Sequence, residues 1–260
     1  MSNLLQRIIS ATILAVIAVS GIVYLPVYII KIFVAFISVL AVYEVFNLLD
    51  KKIVGIFRKE VLFVAFLSSL SVLFISFYLA VLIMTVYGFY ISVKKYSLDY
   101  LTYTIFGFFY GVFFPSSLGI LAEIDKYLIF VLFAVVWSGD ICAYFVGKTI
   151  GKHKLAPILS PKKTVEGAIG SFVGSVVAGY IAILYFKFDL SWIIPVLISA
   201  ILLQVGDLFE SFLKRQVNVK DSSNLIPGHG GLLDRIDSLI FASVVFVICH
   251  ALLKSLSIAS

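Results

Sequence analysis

Long apolar stretches follow one another along almost the whole chain, and they constrain its fold more than any other feature. Each is roughly 17–25 residues long, the length at which an α-helix crosses the hydrocarbon core of a bilayer. Only 13% of the residues are charged and 62% are hydrophobic, whereas about a quarter of a soluble protein is charged. The sequence therefore predicts an all-α, polytopic integral membrane protein.

The apolar stretches divide into nine predicted transmembrane helices, which cover residues 8–25, 27–49, 61–77, 78–93, 100–121, 127–147, 167–186, 191–209 and 236–254. The stretch 61–94 carries no charge before Lys94 and could form one long helix or two short ones. One helix would place Lys94, Lys95 and both long polar loops on the outer side, against the positive-inside rule. We therefore expect two helices there, a cytoplasmic N-terminus, and cytoplasmic loops at 148–166 and 210–235.

Acidic residues near the membrane separate the chain into two predicted regions. Residues 1–125, with about five spans, contain few of them and are predicted to be a transmembrane scaffold. Lys31 and Glu44, both in the second span, are interpreted as snorkelling residues or helix-bundle pairs. Residues 126–260, with about four spans and both loops, are predicted to be the catalytic region. Its acidic residues near cytoplasmic span ends are Asp140, Glu166, Asp207, Glu210, Asp221, Asp234 and Asp237.

The segment from Ser211 to Asp237 is the one long polar stretch in this apolar chain. Its ionisable residues are Lys214, Arg215, Lys220, Asp221, His229, Asp234, Arg235 and Asp237. Charges of both signs are costly to hold at a membrane boundary without a partner. Phosphates and a divalent cation are the natural partners for such a set, so we expect the chemistry of the protein here.

Asp234 and Asp237 lie three residues apart at the start of the last span. On a helix this spacing places both carboxylates on one face, beside free N–H groups that favour negative charge. Two carboxylates suit Mg²⁺, which leaves its other positions to water and substrate phosphates. The alternative is that Asp234, Arg235 and Asp237 form a capping and charge-pairing cluster.

Asp207 and Asp140 are two further acidic candidates near cytoplasmic span ends. Acidic residues within spans are functional candidates by default. The alternative for Asp207 is an ion pair with Lys214 or Arg215. The alternative for Asp140, which follows Gly139, is a hydrogen bond between helices.

Two loops have compositions that suit phosphate binding. In 227–231 three glycines allow consecutive backbone N–H groups to surround an anion, and His229 could donate to a phosphate. The segment 160–167 places two lysines and two hydroxyls just before a helix; its candidate residues are Ser160, Lys162, Lys163, Thr164 and Glu166. The alternative for this second loop is a positively charged segment that contacts anionic lipid.

The polar segment resembles the signature of the phosphatidate cytidylyltransferases, also called CDP-diacylglycerol synthases. The matching positions are Ser211, Leu213, Lys214, Arg215, Lys220, Asp221, Ser223, Ile226, Pro227, His229, Gly230, Gly231, Asp234, Arg235, Ile236 and Asp237. The segments 140–148 and 160–167 resemble two further conserved blocks of that family. Residues 1–125 resemble it only in length and hydropathy.

The resemblance implies the reaction of CTP with phosphatidate to give CDP-diacylglycerol and pyrophosphate, assisted by one or two Mg²⁺ ions. The implied place is the cytoplasmic face of a bacterial inner membrane. The implied catalytic residues are Asp207, Lys214, Arg215, Asp234, Arg235 and Asp237. The implied metal ligands are Asp207, Asp221, Asp234 and Asp237. The implied substrate-binding residues are Asp140, Ser160, Lys162, Lys163, Thr164, Glu166, Lys220, His229, Gly230 and Gly231.

The expected partners are CTP, phosphatidate and the lipid bilayer, with a monovalent ion and a homodimer left open. The net charge of +6 does not predict nucleic-acid binding, because the lysines and arginines lie in loops between spans. A CTP-dependent lipid kinase is one alternative; it would transfer the γ-phosphoryl group to a hydroxyl and need a base. A membrane transporter is the other; it would place charges near the bilayer midplane in paired halves, whereas no internal repeat is visible here.

Overall fold

The computed structural model describes residues 3–226, 228 and 230–259, with side chains described for residues 9–226, 228 and 230–255. These residues form ten α-helices and one β-hairpin. The helices are α1 Asn3–Tyr24, α2 Val27–Asp50, α3 Lys59–Phe74, α4 Phe77–Lys95, α5 Leu98–Phe108, α6 Phe114–Asp125, α7 Leu128–Thr149, α8 Val165–Tyr185, α9 Ile193–Gln216 and α10 Leu233–Ala259. A π-helical segment, Phe109–Phe113, joins α5 to α6, and a 3₁₀ turn, Leu190–Trp192, precedes α9. The hairpin consists of β1, Lys154–Ala156, and β2, Ser160–Thr164.

The predicted all-α membrane architecture is confirmed. Seven helical segments within the described part of the chain are long and apolar enough to cross a bilayer: α2, α4, α5 to α6 as one segment, α7, α8, α9 with its 3₁₀ turn, and α10. The apolar part of α1, Ile9–Tyr24, is shorter, and α3 has 16 residues. The number of nine spans and the cytoplasmic N-terminus therefore stay predictions.

The stretch 61–94 forms two helices, as predicted, with a break between Phe74 and Phe77. Ser76 has an extended backbone and its side chain accepts a hydrogen bond from the N–H of Tyr78 at 3.2 Å. This is the N-cap arrangement, in which a serine oxygen satisfies an N–H group without an intrahelical partner. A single serine in an apolar stretch thus begins the second helix.

The chain divides into two compact units, which are described separately below. The N-terminal unit comprises Met1–Glu123 and Gln216–Arg235, and the C-terminal unit comprises Ile124–Arg215 and Ile236–Ser260. The first boundary lies close to the predicted one at residue 125. The segment Gln216–Arg235 groups with the N-terminal helices, whereas the prediction placed it in the catalytic region. The division of function between scaffold and catalytic regions stays a prediction.

In the N-terminal unit, α2 packs closely against the π-helical segment. A Cβ at Gly111 would lie 2.6 Å from a methyl carbon of Val42 and 3.0 Å from its Cα, so only a glycine allows this approach. Lys31 on α2 is buried and pairs with Glu123 on α6 at 2.8 Å. Lys31 is therefore a helix-bundle pair, one of the two interpretations that the sequence favoured.

In the C-terminal unit, small residues bring α7 and α8 together along their length. A Cβ at Gly170 would lie 2.6 Å from Val146, and the hydroxyl of Ser175 donates to the carbonyl of Val135 at 2.7 Å. Without a hydrophobic driving force between helices in lipid, such close packing and hydrogen bonding supply the association energy. The pair α7–α8 is thus a rigid base for the loop that connects them.

Candidate active site

The C-terminal unit contains a cavity of about 440 Å³. Its polar lining residues are Asp140, Tyr144 and Lys148 from α7, Lys162, Lys163 and Thr164 from β2, Ser171 from α8, Gln204 and Asp207 from α9, and Ser238 from α10. The structure therefore brings five predicted site residues to one cavity: Asp140, Lys162, Lys163, Thr164 and Asp207. Tyr144 and Lys148 lie in the segment 140–148 that resembles the family, but neither was predicted as a site residue. Ser171, Gln204 and Ser238 were not predicted, because uncharged residues of an apolar helix carry no distinguishing signal.

The hairpin between α7 and α8 places Lys162 and Lys163 at the cavity. In its antiparallel register Lys154 lies opposite Thr164, and Ala156 lies opposite Ser160. Thr164 is also the N-cap of α8, because its Oγ1 accepts a hydrogen bond from the N–H of Gly167 at 3.1 Å. The strand therefore runs directly into the helix, which fixes the position of the two lysines.

Glu166 ties the other end of this loop to the start of α8. Its carboxylate accepts hydrogen bonds from the N–H groups of Lys152 at 3.0 Å and His153 at 3.2 Å, and it contacts His153 Nδ1 at 2.6 Å. Glu166 and Ser160, both predicted to bind substrate, do not line the cavity. Their direct role in substrate binding stays a prediction.

Lys163 on β2 forms an ion pair with Asp207 on α9 inside the cavity. The alternative partners of Asp207 were Lys214 and Arg215; the buried Lys214 pairs with Glu210 at 2.8 Å on the same helix. A cavity that holds a lysine and an aspartate in contact offers both a cation for a phosphate and a carboxylate for a metal ion.

Asp237 on α10 extends this acidic group. Its carboxylate interacts electrostatically with Asp207 and Asp140, and it also interacts with the side chain of Glu210. Its Oδ1 also accepts a hydrogen bond from the N–H of Ser238, a cavity residue, at 2.7 Å. Asp207 and Asp237 are thus the two predicted metal ligands that this unit brings together.

Lys214 and Arg215, near the end of α9, belong to the C-terminal unit and do not line the cavity. The other predicted residues of the polar segment that the structure describes belong to the N-terminal unit: Lys220, Asp221, Gly230, Gly231, Asp234 and Arg235. Asp234 Oδ2 accepts hydrogen bonds from Ser222 N, Ser222 Oγ and Gly231 N at 2.8–2.9 Å. This is the capping arrangement that the sequence left open for Asp234, and its role as a metal ligand stays a prediction. His229 and Pro227 lie outside the described residues.

Glu44 on α2 is fully buried and holds the same segment. Its two carboxylate oxygens accept hydrogen bonds from four groups: Ser222 Oγ, Ser223 Oγ, Leu232 N and Leu233 N. The interpretation of Glu44 as a snorkelling residue or helix-bundle pair is therefore wrong. Its position, the deepest acid in a region with few acids, was the one signal that could have suggested a specific partner.

The chain matches the cytidylyltransferase family over residues 5–253. The phosphatidate cytidylyltransferase of Brucella suis biovar 1 (strain 1330) is 44% identical over 151 residues, which is 56% of each chain. Those of Bacillus subtilis (strain 168) and Staphylococcus aureus (strain COL) are 48% identical over 125 residues and 49% identical over 113 residues. The match to the Bacillus subtilis protein covers 46% of both chains. The match to the Staphylococcus aureus protein covers 42% of this chain and 43% of the relative. The chain therefore matches about half the length of these relatives. The family match, by contrast, spans nearly all of this chain. We conclude that this protein belongs to the cytidylyltransferase family.

Proposed function

We propose that the protein is a phosphatidate cytidylyltransferase, which converts CTP and phosphatidate to CDP-diacylglycerol and pyrophosphate. The proposal places the reaction at the cytoplasmic face of a bacterial inner membrane, where a cytosolic triphosphate and a lipid phosphate can meet. The names of the relatives and the signature residues in Ser211–Asp237 support this substrate pair. The observation that carries the proposal is the cavity of the C-terminal unit.

The cavity has the charges that a nucleoside triphosphate needs. Lys162 and Lys163 supply positive charge for phosphates, and Asp140 and Asp207 supply acceptors for a metal ion or a base edge. Its volume of about 440 Å³ lies within the roughly 300–1,000 Å³ of small-molecule sites. Lys163, now paired with Asp207, would exchange this carboxylate for a phosphate oxygen when CTP binds.

The proposed chemistry is a phosphate attack on a phosphate. An oxygen of phosphatidate forms a bond to the α-phosphorus of CTP. The bond from that phosphorus to the oxygen bridging the β-phosphorus breaks, and pyrophosphate leaves with the electron pair. Because the attacking phosphate is already ionised at neutral pH, no strong general base is needed. Catalysis then rests on positioning and on neutralising the charge of the reacting phosphates.

The carboxylates of the C-terminal unit fit a Mg²⁺ ion. Mg²⁺ usually takes one or two carboxylates and leaves its other positions to water and substrate phosphates, and Asp207 and Asp237 are such a pair. No group of three or more His, Cys, Asp or Glu ligands occurs within the described ranges, so water and the phosphate oxygens of the substrate would have to complete the coordination of the ion. A bound Mg²⁺ would offset the negative charge of the triphosphate. Asp221 and Asp234 stay the less supported candidates.

The nearest rival is a CTP-dependent lipid kinase, and the fate of two labels separates the reactions. Purified protein is given phosphatidate, Mg²⁺ and CTP labelled either in the cytosine ring or in the γ-phosphate. Cytidylyl transfer carries the cytosine label into lipid and releases the γ-label as pyrophosphate. A kinase, given diacylglycerol as well, carries only the γ-label into lipid. Absence of the cytosine label from the lipid would overturn the proposal.

A further inference from the structure

Glu44 has contacts that differ from those of every other acid described in the N-terminal helices. It is fully buried, and its four hydrogen-bond donors all come from the single stretch 222–233. Ser222 Oγ and Leu233 N lie 3.0 and 2.7 Å from Oε2. Ser223 Oγ and Leu232 N lie 2.6 and 2.8 Å from Oε1. One side chain thus organises a segment that is distant in sequence.

The four hydrogen-bond donors around the side chain of Glu44 require a group of that size with acceptors only, and a carboxylate is such a group. A carboxylate has only acceptors, whereas an amide of the same shape presents two donors on one side. The N–H groups of Leu232 and Leu233 lie at the start of α10, where backbone donors have no intrahelical partner and a negative charge is favourable. The carboxylate of Glu44 therefore completes the first turn of this helix.

The fit between Glu44 and the segment is close. A Cβ at Gly231 would lie 2.7 Å from both carboxylate oxygens, so the backbone can approach only because position 231 is a glycine. Ser222 Oγ lies 3.0 Å from Glu44 Oε2 and 2.9 Å from Asp234 Oδ2. This shared hydroxyl links Glu44 to Asp234, which in turn holds Gly231 N.

We infer that Glu44 is a positioning residue for cytidylyl transfer, acting through the segment Lys220–Arg235. Glu44 acts on the reaction only through this segment. Before substrate binds, Glu44 fixes the backbone that carries Lys220, Asp221, Asp234 and Arg235. This inference rests on the proposed function, because it takes these four residues to have the catalytic, substrate-binding and metal-binding roles that the resemblance to the phosphatidate cytidylyltransferases implies. Under this inference, turnover depends on a residue of the region that was predicted to be only a scaffold.

The test compares Glu44→Gln with Glu123→Gln in the purified full-length protein. The glutamine side chain has the same size as the glutamate, but an NH₂ group replaces one of the two carboxylate oxygens. That NH₂ group is a hydrogen-bond donor and would face the donors of the segment. Glu123→Gln is the matched control, because it removes the partner of the buried Lys31 and leaves the segment untouched. We expect Glu44→Gln to lower kcat about 10-fold to 100-fold, the usual effect of losing a supporting hydrogen-bond partner, with a smaller change in KM for CTP. Hydrogen exchange at the amides of Leu232 and Leu233 should accelerate, and exchange in α7 and α8 should not.

Three outcomes would overturn the inference: a kcat of Glu44→Gln within twofold of wild type, unchanged protection of the two amides, or an equal loss of kcat in Glu123→Gln. If Glu44→Gln does not fold, Ser223→Ala removes one donor at 2.6 Å and should lower kcat in the same direction, by a smaller factor; a wild-type kcat in that variant would contradict the inference. Failure of the wild-type protein to incorporate cytidine into lipid would instead refute the proposed function, and the exchange measurement would still show whether Glu44 fixes the segment.

Discussion

Lys163 on β2 and Asp207 on α9 form an ion pair across the cavity of the C-terminal unit. The pair joins two segments, 160–164 and 193–216, that are separate in sequence and that each carry predicted site residues. Both side chains are partly exposed, so the pair is accessible to a charged ligand. In the proposed function, a phosphate bound by Lys163 would release Asp207, and a cation bound by Asp207 would release Lys163.

Lys163→Ala should therefore lower kcat/KM for CTP by about 10-fold to 100-fold, because a hydrogen bond to a charged group contributes roughly 1.5–3 kcal/mol. Lys154→Ala is the matched control, since Lys154 is an exposed lysine of the same hairpin that does not line the cavity. Steady-state kinetics with varied CTP would measure the effect. Equal kcat/KM values of the two variants would show that Lys163 does not bind a phosphate of CTP.

Asp237→Ala should raise the Mg²⁺ concentration for half-maximal activity by about tenfold or more and lower the maximal rate, because Mg²⁺ depends on one or two protein carboxylates. Asp189→Ala is the control: Asp189 belongs to the same unit, but its side chain caps the 3₁₀ turn through the N–H of Ser191 at 2.8 Å. Activity would be measured over a Mg²⁺ titration. Wild-type activity of Asp237→Ala at every Mg²⁺ concentration would refute the metal assignment.

Gly230→Ala should destabilise the polar segment by about 1–3 kcal/mol, because a side chain is strained at positive φ. Gly230 has φ +84°, and a Cβ there would lie 2.9 Å from Asp234 Oδ2. Gly21→Ala is the control, since its Cβ would meet only Leu25 at 3.8 Å. Protease cleavage within 216–235 would be compared in the two variants. Equal cleavage would mean that the segment tolerates a side chain at 230.

The sequence was sufficient for the helices and for four of the five charged residues that line the cavity, because both depend on local patterns. Hydropathy located α2 and α7 to within a few residues, and the charged block 160–167 contained Lys162 and Lys163. Lys148, the third lysine of the cavity lining, was not among the predicted site residues. The hairpin was not predicted, because Pro161 lies inside β2 and proline normally argues against a strand. Glu44 was misinterpreted because its partners are 178–189 residues away, and no local pattern encodes a contact over that separation.

The predicted topology can be tested with two single cysteines in a background where Cys142 and Cys249 are replaced by serine. Nine spans with a cytoplasmic N-terminus place Lys154, in the hairpin, on the cytoplasmic side and Lys126, between α6 and α7, on the outer side. In right-side-out vesicles, Lys126→Cys should react with a membrane-impermeant maleimide at once, and Lys154→Cys only after permeabilisation. The reverse pattern would place the cavity lysines on the outer side, away from cytosolic CTP. Reaction of both cysteines in intact vesicles would mean that α7 does not cross the membrane.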